Sequence, residues 1–301
     1  MGKVSYTLAL SDEQVATLKD CLARDGFDFQ QKEHALYSAK RGKLNVTVYR
    51  KGPKVLVQGK ETEDFVKFVL EPEVVGEARL GYEEHWQAEM FEPHFGIDES
   101  GKGDYFGPLV VAGVYTNQKI TRALLDAGIM DSKRIGSGKR IRDLASRIKG
   151  EVGGGYKVIR WAPTRYNTLY EEYKNINRML ARGHAVVIKD LSMRVPSCAR
   201  ALSDQFTKAP LIARELKNRG VALKLEERTK AENDIAVAAA SILARESFLD
   251  WMDRVSEKAG LEFPLGAGSS VKETAREFSQ KFGKEKLVEI AKLHFKTTQE
   301  I

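Results

Sequence analysis

One segment constrains the fold of this chain more than any other, residues 94–115 with the sequence HFGIDESGKGDYFGPLVVAGVY. Its pattern indicates an apolar strand that ends in Asp98 and Glu99, a glycine-rich turn at residues 100–103, and a second apolar strand. Adjacent residues on a regular strand face opposite sides of a sheet. If both carboxylates serve one site, we therefore expect the chain to leave regular strand geometry at Glu99, which the following glycines permit.

The glycine-rich turn is suited to approach a phosphate or a sugar. Gly101 and Gly103 carry no side chain that would keep the backbone amides away from such a group, and Lys102 adds a positive charge. Two adjacent acids before a glycine turn are nevertheless a weak pattern, because most such pairs are solvated loop residues. A hydrolytic site that uses Mg²⁺ or Mn²⁺ needs further oxygen ligands from separate elements.

Two later acids qualify as such ligands. Asp204 follows the apolar run at residues 199–202, which would place it at a sheet edge, and Glu232 precedes a helix of small side chains that can pack tightly on that sheet. Both positions have an ordinary explanation as well. Asp204 could be an ordinary turn residue. Glu232 could be an acid that stabilises the positive end of its helix, a role for which Asp234 is an equally good candidate.

The distribution of charge and of glycine and proline residues divides the chain into three parts. Residues 1–70 carry 12 basic and 9 acidic side chains, residues 71–92 carry 1 and 7, and the remainder carries 36 and 26. The predicted domains are a small α+β domain at 1–70, an acidic linker at 71–93 and a larger α/β domain at 94–301.

In the first part, Ser11 and Gln14 form the capping-box pattern of a helix start. The other elements predicted there are strands at 4–8, 35–39, 44–49 and 55–57, and a closing helix at 62–70. The larger domain alternates strands with helices, as a mixed α/β sheet requires. Its predicted strands are 95–98, 109–115, 155–161 and 199–203, and its predicted helices are 139–149, 164–180, 184–193, 232–251 and 271–280.

The turns and strand ends of the first domain carry a run of basic residues with no acid among them. These residues are Lys40, Arg41, Lys43, Arg50, Lys51 and Lys54. They form either a surface that grips phosphates or a set of charges that protects a sheet edge from aggregation, and this segment alone favours neither.

Composition excludes several other classes of protein. The two cysteines, Cys21 and Cys198, are far apart and lack metal-ligand spacing, so we expect neither a disulfide framework nor a structural zinc site. No signal peptide or apolar stretch of membrane-spanning length is present, and we expect a cytoplasmic protein. The net charge of +7 favours an anionic partner. The glycine spacings match neither a dinucleotide-binding motif nor a P-loop.

The segment GIDESGKGDYFGPLV resembles the signature of the type two and type three ribonucleases H, and its Gly-Lys-Gly form resembles type three. The resemblance extends over residues 94–301. Further blocks that resemble this family are Pro163, Tyr166-Asn167, Leu169-Tyr170, Asn175, Asn177, Gly183-His184, Asp204-Gln205-Phe206, Thr229-Lys230-Ala231-Glu232, Ala238-Ala239-Ala240-Ser241 and Lys292-Leu293-His294-Phe295-Lys296.

The resemblance implies a ribonuclease H-like fold, a five-stranded mixed sheet flanked by helices, preceded by an N-terminal domain similar to the TATA-box-binding protein. It also implies four acids that bind divalent metal ions, which by position are Asp98, Glu99, Asp204 and Glu232. The fourth is often Asp in such proteins, so Asp234 stays a minor rival. With the resemblance, the basic run of the first domain becomes a predicted surface for an RNA/DNA hybrid.

The activity implied is metal-dependent cleavage of the RNA strand of a hybrid by a monomeric enzyme that uses two Mg²⁺ or Mn²⁺ ions and leaves 5′-phosphate and 3′-hydroxyl ends. Gly101, Lys102 and Gly103 are expected to read the 2′-hydroxyl. Lys133 is either a phosphate contact or part of a solvated turn. His184, which opens a predicted helix, is expected to pack or cap rather than act as a base, and the sequence leaves the place of His294 open.

Two alternatives to this function remain. A type two enzyme would favour a single ribonucleotide embedded in DNA, and the N-terminal domain and Lys102 argue against it. A non-catalytic module that binds hybrids would show binding without turnover, and the complete set of four acids argues for catalysis.

Overall fold

A computed structural model of the protein describes residues 5–50, 52–75, 88–129, 137–207, 209–228 and 231–301. The chain divides into two compact units, Met1–Ala88 and Glu89–Ile301. No helix of the described residues has the length and apolar character needed to cross a membrane.

The first unit is an antiparallel sheet covered by helices. Its elements are β1 (Ser5–Ala9), α1 (Asp12–Arg24), β2 (Asp28–Gln30), β3 (Ala35–Arg41), β4 (Leu44–Tyr49), β5 (Lys54–Gln58), α2 (Thr62–Phe65) and a π-helical segment (Val66–Val75). The strand order is β1-β5-β4-β3-β2. The predicted capping box of α1 is confirmed, because Ser11 Oγ accepts from the Gln14 amide while Gln14 Oε1 accepts from the Ser11 amide.

Two features of this unit differ from the prediction. Strand β2, with the sequence DFQ, was not predicted, since it is short and exposed and pairs with β3 only at the edge of the sheet. The helical conformation that follows β5 continues to Val75, past the predicted end at residue 70. Residues 76–87 of the predicted acidic linker lie outside the described residues.

Apolar side chains on one face of this sheet form the core with α1, with Val46, Val48, Val55 and Val57 fully buried. Strand side chains alternate between the two faces, so the residues between these valines lie on the other face. Thr47 is one of them, and its Oγ1 lies 2.9 Å from Ser38 Oγ on the neighbouring strand.

The second unit alternates strands and helices. Its elements are α3 (Ala88–Phe91), β6 (His94–Ser100), β7 (Leu109–Thr116), α4 (Gln118–Asp126), α5 (Gly138–Val152), β8 (Tyr156–Trp161), α6 (Pro163–Tyr173), α7 (Ile176–Arg194), β9 (Arg200–Asp204), α8 (Leu211–Asn218), β10 (Lys224–Arg228), α9 (Ile235–Ala259), α10 (Ser269–Phe282) and α11 (Leu287–Ile290).

The sheet of this unit has the strand order β10-β9-β6-β7-β8. Strands β6, β7 and β8 are antiparallel neighbours, whereas β9 runs parallel to β6 and β10 parallel to β9. The expectation of a five-stranded mixed sheet flanked by helices is therefore confirmed. Strand β10 and helices α4 and α8 were not among the predicted elements.

The single helix predicted at 164–180 is wrong. Helix α6 ends at Tyr173, and Lys174 takes a left-handed conformation with φ of 49°. Asn175 then caps α7 by accepting hydrogen bonds from the amides of Asn177 and Arg178. A second correction follows, because α7 begins at Ile176 and His184 therefore lies within this helix and does not open it.

Two apolar layers enclose the sheet of the second unit. Side chains of β7 such as Val110 and Ala112 pack with α5 and α9 on one face. On the opposite face, Ile97 and Val111 pack with α7. The carboxyl ends of β6 and β9 lie next to each other in this sheet, where Ile97 pairs with Ser203. Asp98 and Asp204 are the next residues on the two strands.

Candidate active site

A cavity of about 440 Å³ opens at the carboxyl ends of β6 and β9. All four acids predicted from the sequence line it. The lining residues are Asp98, Glu99, Ser100, Gly101, Lys102, Gly103, Asp104, Ile141, Asp204, Glu232, Ser241 and Arg245. Strands β6 and β9 and the segment before α9 thus bring together carboxylates that are up to 134 positions apart in the chain.

Asp98 and Glu99 remain on a regular strand, so the expectation that the chain leaves strand geometry at Glu99 is wrong. Strand β6 keeps its pairing with β7 through Ser100, with Glu99 opposite Val111. The two side chains face opposite sides, because Asp98 contacts Ser241 of α9 whereas Glu99 contacts His184 of α7. Both still line one cavity, since it lies across the end of the strand, where the two faces meet.

Asp204 and Glu232 are linked through the segment that precedes α9. Asp204 is the last residue of β9, and its Oδ1 accepts a hydrogen bond from the amide of Ala231 at 3.2 Å. Glu232 lies in the short 3₁₀ helix Ala231–Asn233 and not in α9 itself. The Asp204 carboxylate therefore holds the backbone next to Glu232.

Asp234, the rival for the fourth acidic position, has a different place in the structure. Its Oδ1 accepts hydrogen bonds from the amides of Ala236 at 2.8 Å and Val237 at 3.2 Å, which caps α9. The same oxygen lies 3.0 Å from Nε2 of the buried His94. Asp234 is not among the residues that line the cavity, whereas Glu232 is.

The glycine-rich turn forms one wall of the cavity. Gly101 has φ of 90°, and a Cβ there would lie 2.2 Å from the carbonyl oxygen of Pro108, so this position requires glycine. Gly103 has open space around it. The Nζ of Lys102 lies 3.9 Å from Glu99 Oε1 and over the ring of Phe206, 5.4 Å from its centroid.

A buried lysine braces the chain that follows this turn. Lys292 is fully buried, and its Nζ donates to the carbonyl oxygens of Asp104 at 2.7 Å, Phe106 at 3.3 Å and Gly107 at 2.7 Å. Its own amide donates to the carbonyl oxygen of Tyr105 at 2.8 Å. Sequence reasoning did not find this contact, because residues 104 and 292 meet only in the folded chain.

The electrostatics of the cavity favour a bound cation. Burial raises the pKa of Asp98 well above its usual range, and the negative charge of Glu99 adds to the effect. A cation between the carboxylates would relieve this repulsion, and carboxylate oxygens are the ligands that Mg²⁺ and Mn²⁺ prefer. Among the described residues, no group of three or more His, Cys, Asp or Glu side chains is already arranged to hold a metal ion. The fit to a metal therefore rests on the donor chemistry and the mutual repulsion of the acids.

The other predicted site residues lie in several places. His184 packs against Glu99 and Ser203 inside the protein. His294 stacks on Tyr170, with ring centroids 4.1 Å apart, and is not among the residues that line the cavity. Lys133 lies outside the described residues. Ser241 and Arg245, which do line the cavity, were not proposed as site residues, although their spacing of four on α9 puts them on one helix face.

The predicted basic surface of the first unit is exposed, and two of its arginines also bind backbone carbonyls. The exposed residues are Lys40, Arg41, Lys43, Arg50 and Lys54. Arg41 donates to the carbonyl oxygen of Asp25 and its guanidinium lies over a phenylalanine ring, and Arg50 donates to the carbonyl oxygen of Ala35. Lys51 lies outside the described residues.

The mixed sheet with an acid-lined cavity at the carboxyl ends of two neighbouring strands defines a ribonuclease H-like fold. The family model described as Ribonuclease HII matches residues 95–298. Ribonuclease HIII of Protochlamydia amoebophila is 39% identical over 94% of this chain and 92% of its own. Ribonuclease HIII of Chlamydia pneumoniae is 36% identical over 98% of this chain and 97% of its own. The crystal structure of Bst-RNase HIII in complex with Mn²⁺ is similar, with a TM-score of 0.68, 28% identity and coverage of 98% of this chain and 97% of that one.

The chain therefore belongs to the ribonuclease HII family, in its type three branch, and is a ribonuclease H enzyme. The resemblance stated from the Gly-Lys-Gly motif is confirmed.

Proposed function

We propose that the protein hydrolyses the RNA strand of RNA/DNA hybrids at internal phosphodiester bonds and leaves 5′-phosphate and 3′-hydroxyl ends. The observation that carries the proposal is the convergence of Asp98, Glu99, Asp204 and Glu232 on one cavity beside the glycine-rich turn. A binding module has no need to keep four carboxylates together against their repulsion and against the phosphates of its ligand.

In this proposal the four carboxylates hold two Mg²⁺ or Mn²⁺ ions. Such ions, when bound, supply an activated water and stabilise the leaving 3′ oxygen. The crystal structure of the similar Bst-RNase HIII in complex with Mn²⁺ supports the choice of metal. Asp204 also keeps the segment with Glu232 in place through its hydrogen bond to the Ala231 amide.

The glycine-rich turn is proposed to recognise the RNA strand. Its backbone forms the cavity wall next to the acids, and the open space beside Gly103 lets polar backbone groups reach a 2′-hydroxyl. Backbone contacts to a sugar are blind to base identity, so the cleavage is expected to depend little on sequence. Lys102, with 38% of its side chain exposed, is in position to meet a phosphate of the same strand.

The first unit is proposed to bind the hybrid and to raise the affinity of the enzyme for it. This proposal keeps the predicted division into a substrate-binding domain at 1–70, a linker at 71–93 and a catalytic domain at 94–301. It is supported by two exposed lysines, Lys40 near the end of β3 and Lys43 in the turn between β3 and β4. The protein is proposed to act as a monomer in the cytoplasm.

A gel assay with two labelled substrates tests the proposed function. One substrate is an RNA/DNA hybrid, the other a DNA duplex with one ribonucleotide, and each is incubated with Mg²⁺ or Mn²⁺. The variants are Asp98→Asn and, as a matched control, Asp253→Asn, which removes an exposed carboxylate of α9 paired with Arg142. We expect cuts at several internal RNA positions, lost in Asp98→Asn and kept in Asp253→Asn.

Two other outcomes would contradict the proposal. Equal or faster cleavage at the single ribonucleotide would assign the protein a type two specificity. Tight binding of the hybrid without metal-dependent cleavage would leave a binding module.

A further inference from the structure

A fully buried histidine lies directly behind one of the four acids. The Nε2 of His184 lies 3.1 Å from Glu99 Oε2, and its Nδ1 lies 3.0 Å from Ser203 Oγ. Ser203 is itself fully buried and its Oγ also lies 3.2 Å from the carbonyl oxygen of Asp204. Both ring nitrogens thus have a partner, and both partners adjoin or belong to the proposed metal site.

The chemistry of the partners defines the direction of the contact with Glu99. An ionised carboxylate only accepts hydrogen bonds, so Nε2 carries the proton and donates to Oε2. The Ser203 hydroxyl has one proton, which it gives either to Nδ1 or, while it accepts from Nδ1, to the Asp204 carbonyl oxygen. Both arrangements are compatible with a proton on Nε2. The imidazole therefore presents an N–H group to Glu99 from inside the protein.

This contact restricts a flexible side chain. A glutamate side chain has several rotamers, and fixing it in one of them costs conformational entropy. Glu99 meets His184 through Oε2, and Lys102 lies 3.9 Å from its other oxygen, Oε1. His184 thereby holds the Glu99 carboxylate through Oε2 from the protein interior, while Oε1 faces the glycine-rich turn.

The same imidazole also connects the two strands that carry acids. Glu99 belongs to β6, Ser203 to β9 and His184 to α7, which packs across the sheet. The next residue after Ser203 is Asp204. One ring thus joins the carboxylate of Glu99 to the backbone that bears Asp204.

We infer that His184 is a positioning residue which holds the Glu99 carboxylate in the orientation that binds metal, with Ser203 orienting the imidazole. The inference rests on the proposed function, in which Glu99 is a metal ligand. Hydrogen bonds from outer groups to ligating carboxylates orient metal ligands in this way, and losing such a partner typically lowers metal affinity or activity about 10- to 100-fold.

The alternative is a histidine that only fills the core. The edge of its ring packs on Phe206, with centroids 5.3 Å apart, so a substitution will lower stability in either case. Metal affinity separates the two roles, because a core residue with no bearing on Glu99 would leave it unchanged.

The experiment measures Mn²⁺ binding to the full-length protein without substrate, by the electron paramagnetic resonance signal of free Mn²⁺. His184→Leu removes the donor, His184→Gln restores an N–H donor on a side chain of similar reach, and Ser203→Ala leaves the imidazole without its hydroxyl partner. His294→Gln is the matched control, because this histidine contacts Tyr166, Tyr170 and Phe295 and no carboxylate in the described residues. Melting temperatures of all variants are recorded alongside.

We expect His184→Leu to weaken Mn²⁺ binding about 10- to 100-fold, Ser203→Ala to weaken it less, and His184→Gln to recover part of the loss. At saturating metal, kcat should fall while the KM for the hybrid changes little. His294→Gln should bind Mn²⁺ as the unmodified protein does.

Unchanged Mn²⁺ affinity in His184→Leu would overturn the inference, whatever the change in melting temperature. If His184→Leu does not fold, unchanged Mn²⁺ affinity in Ser203→Ala overturns the inference, because Ser203 orients the imidazole in it. Asp98→Asn separates this failure from that of the proposed function. Loss of Mn²⁺ binding in Asp98→Asn with normal binding in the His184 variants overturns the inference alone, and normal binding in Asp98→Asn overturns the proposed metal site.

Discussion

Replacing Gly96 by alanine is expected to destabilise the second unit more than most single-methyl additions. Gly96 lies on β6, and a Cβ there would lie 2.2 Å from the carbonyl carbon of Ala236 and 2.3 Å from the nitrogen of Val237. Both atoms belong to the backbone of α9, so no side-chain rotation relieves the overlap. The helix itself would have to move away from the strand that bears Asp98.

The expected cost follows from that displacement. Adding a methyl group to a tightly packed core typically costs about 1–3 kcal/mol, and more when the backbone must shift. We therefore expect a loss of about 3 kcal/mol, a large share of the roughly 5–15 kcal/mol that stabilises a domain. With an m-value of about 3 kcal/mol/M, the urea midpoint should fall by ~1 M.

Urea unfolding followed by tryptophan fluorescence measures this loss, because Trp161 and Trp251 both belong to the second unit. Gly150→Ala is the control. This glycine lies in α5 with no atom within 4 Å of an added Cβ, and alanine there should stabilise the helix by about 0.5–1 kcal/mol. A Gly96→Ala protein as stable as the unmodified one would refute the packing argument.

Two further predictions concern charge. Burial lowers the pKa of Lys292 to about 7, against roughly 10.4 in an unfolded chain. The unfolded state therefore binds more protons between about pH 7 and 10, so the free energy of unfolding should rise with pH across that window and rise less in Lys292→Met. Identical pH dependence in the two proteins, measured by urea midpoints, would contradict this. Lys40→Ala should weaken binding of the hybrid, and the plot of log association constant against log salt concentration should become less steep by about one. Lys19→Ala, on α1, should change neither the affinity nor this slope. Equal slopes for both variants in a titration of hybrid binding would argue against a phosphate contact at Lys40.

Local patterns predicted much of the fold because the relevant signals are local. The capping box of Ser11 and Gln14 marks a helix start within four residues, and the apolar runs around residues 95–98 and 109–115 mark buried strands. Strands β2 and β10 were not predicted, because they lie at sheet edges and carry polar side chains. In β10, Glu226 is held by the guanidinium of Arg200 at 2.9 Å, an interaction between strands that no local pattern displays.

The sequence by itself determined which residues are chemically suited to a metal-dependent nuclease, because Asp98, Glu99 and the glycine-rich turn form a contiguous motif whose spacing is fixed by covalent bonds. The tertiary structure decided how these residues meet. Only the packing of α7 and α9 on opposite faces of β6 shows that the two acids stay on a regular strand and that His184 donates to Glu99 across 85 positions of chain. Contacts of this kind depend on the burial of whole elements against each other, and burial is a property of the folded chain rather than of any short stretch of it.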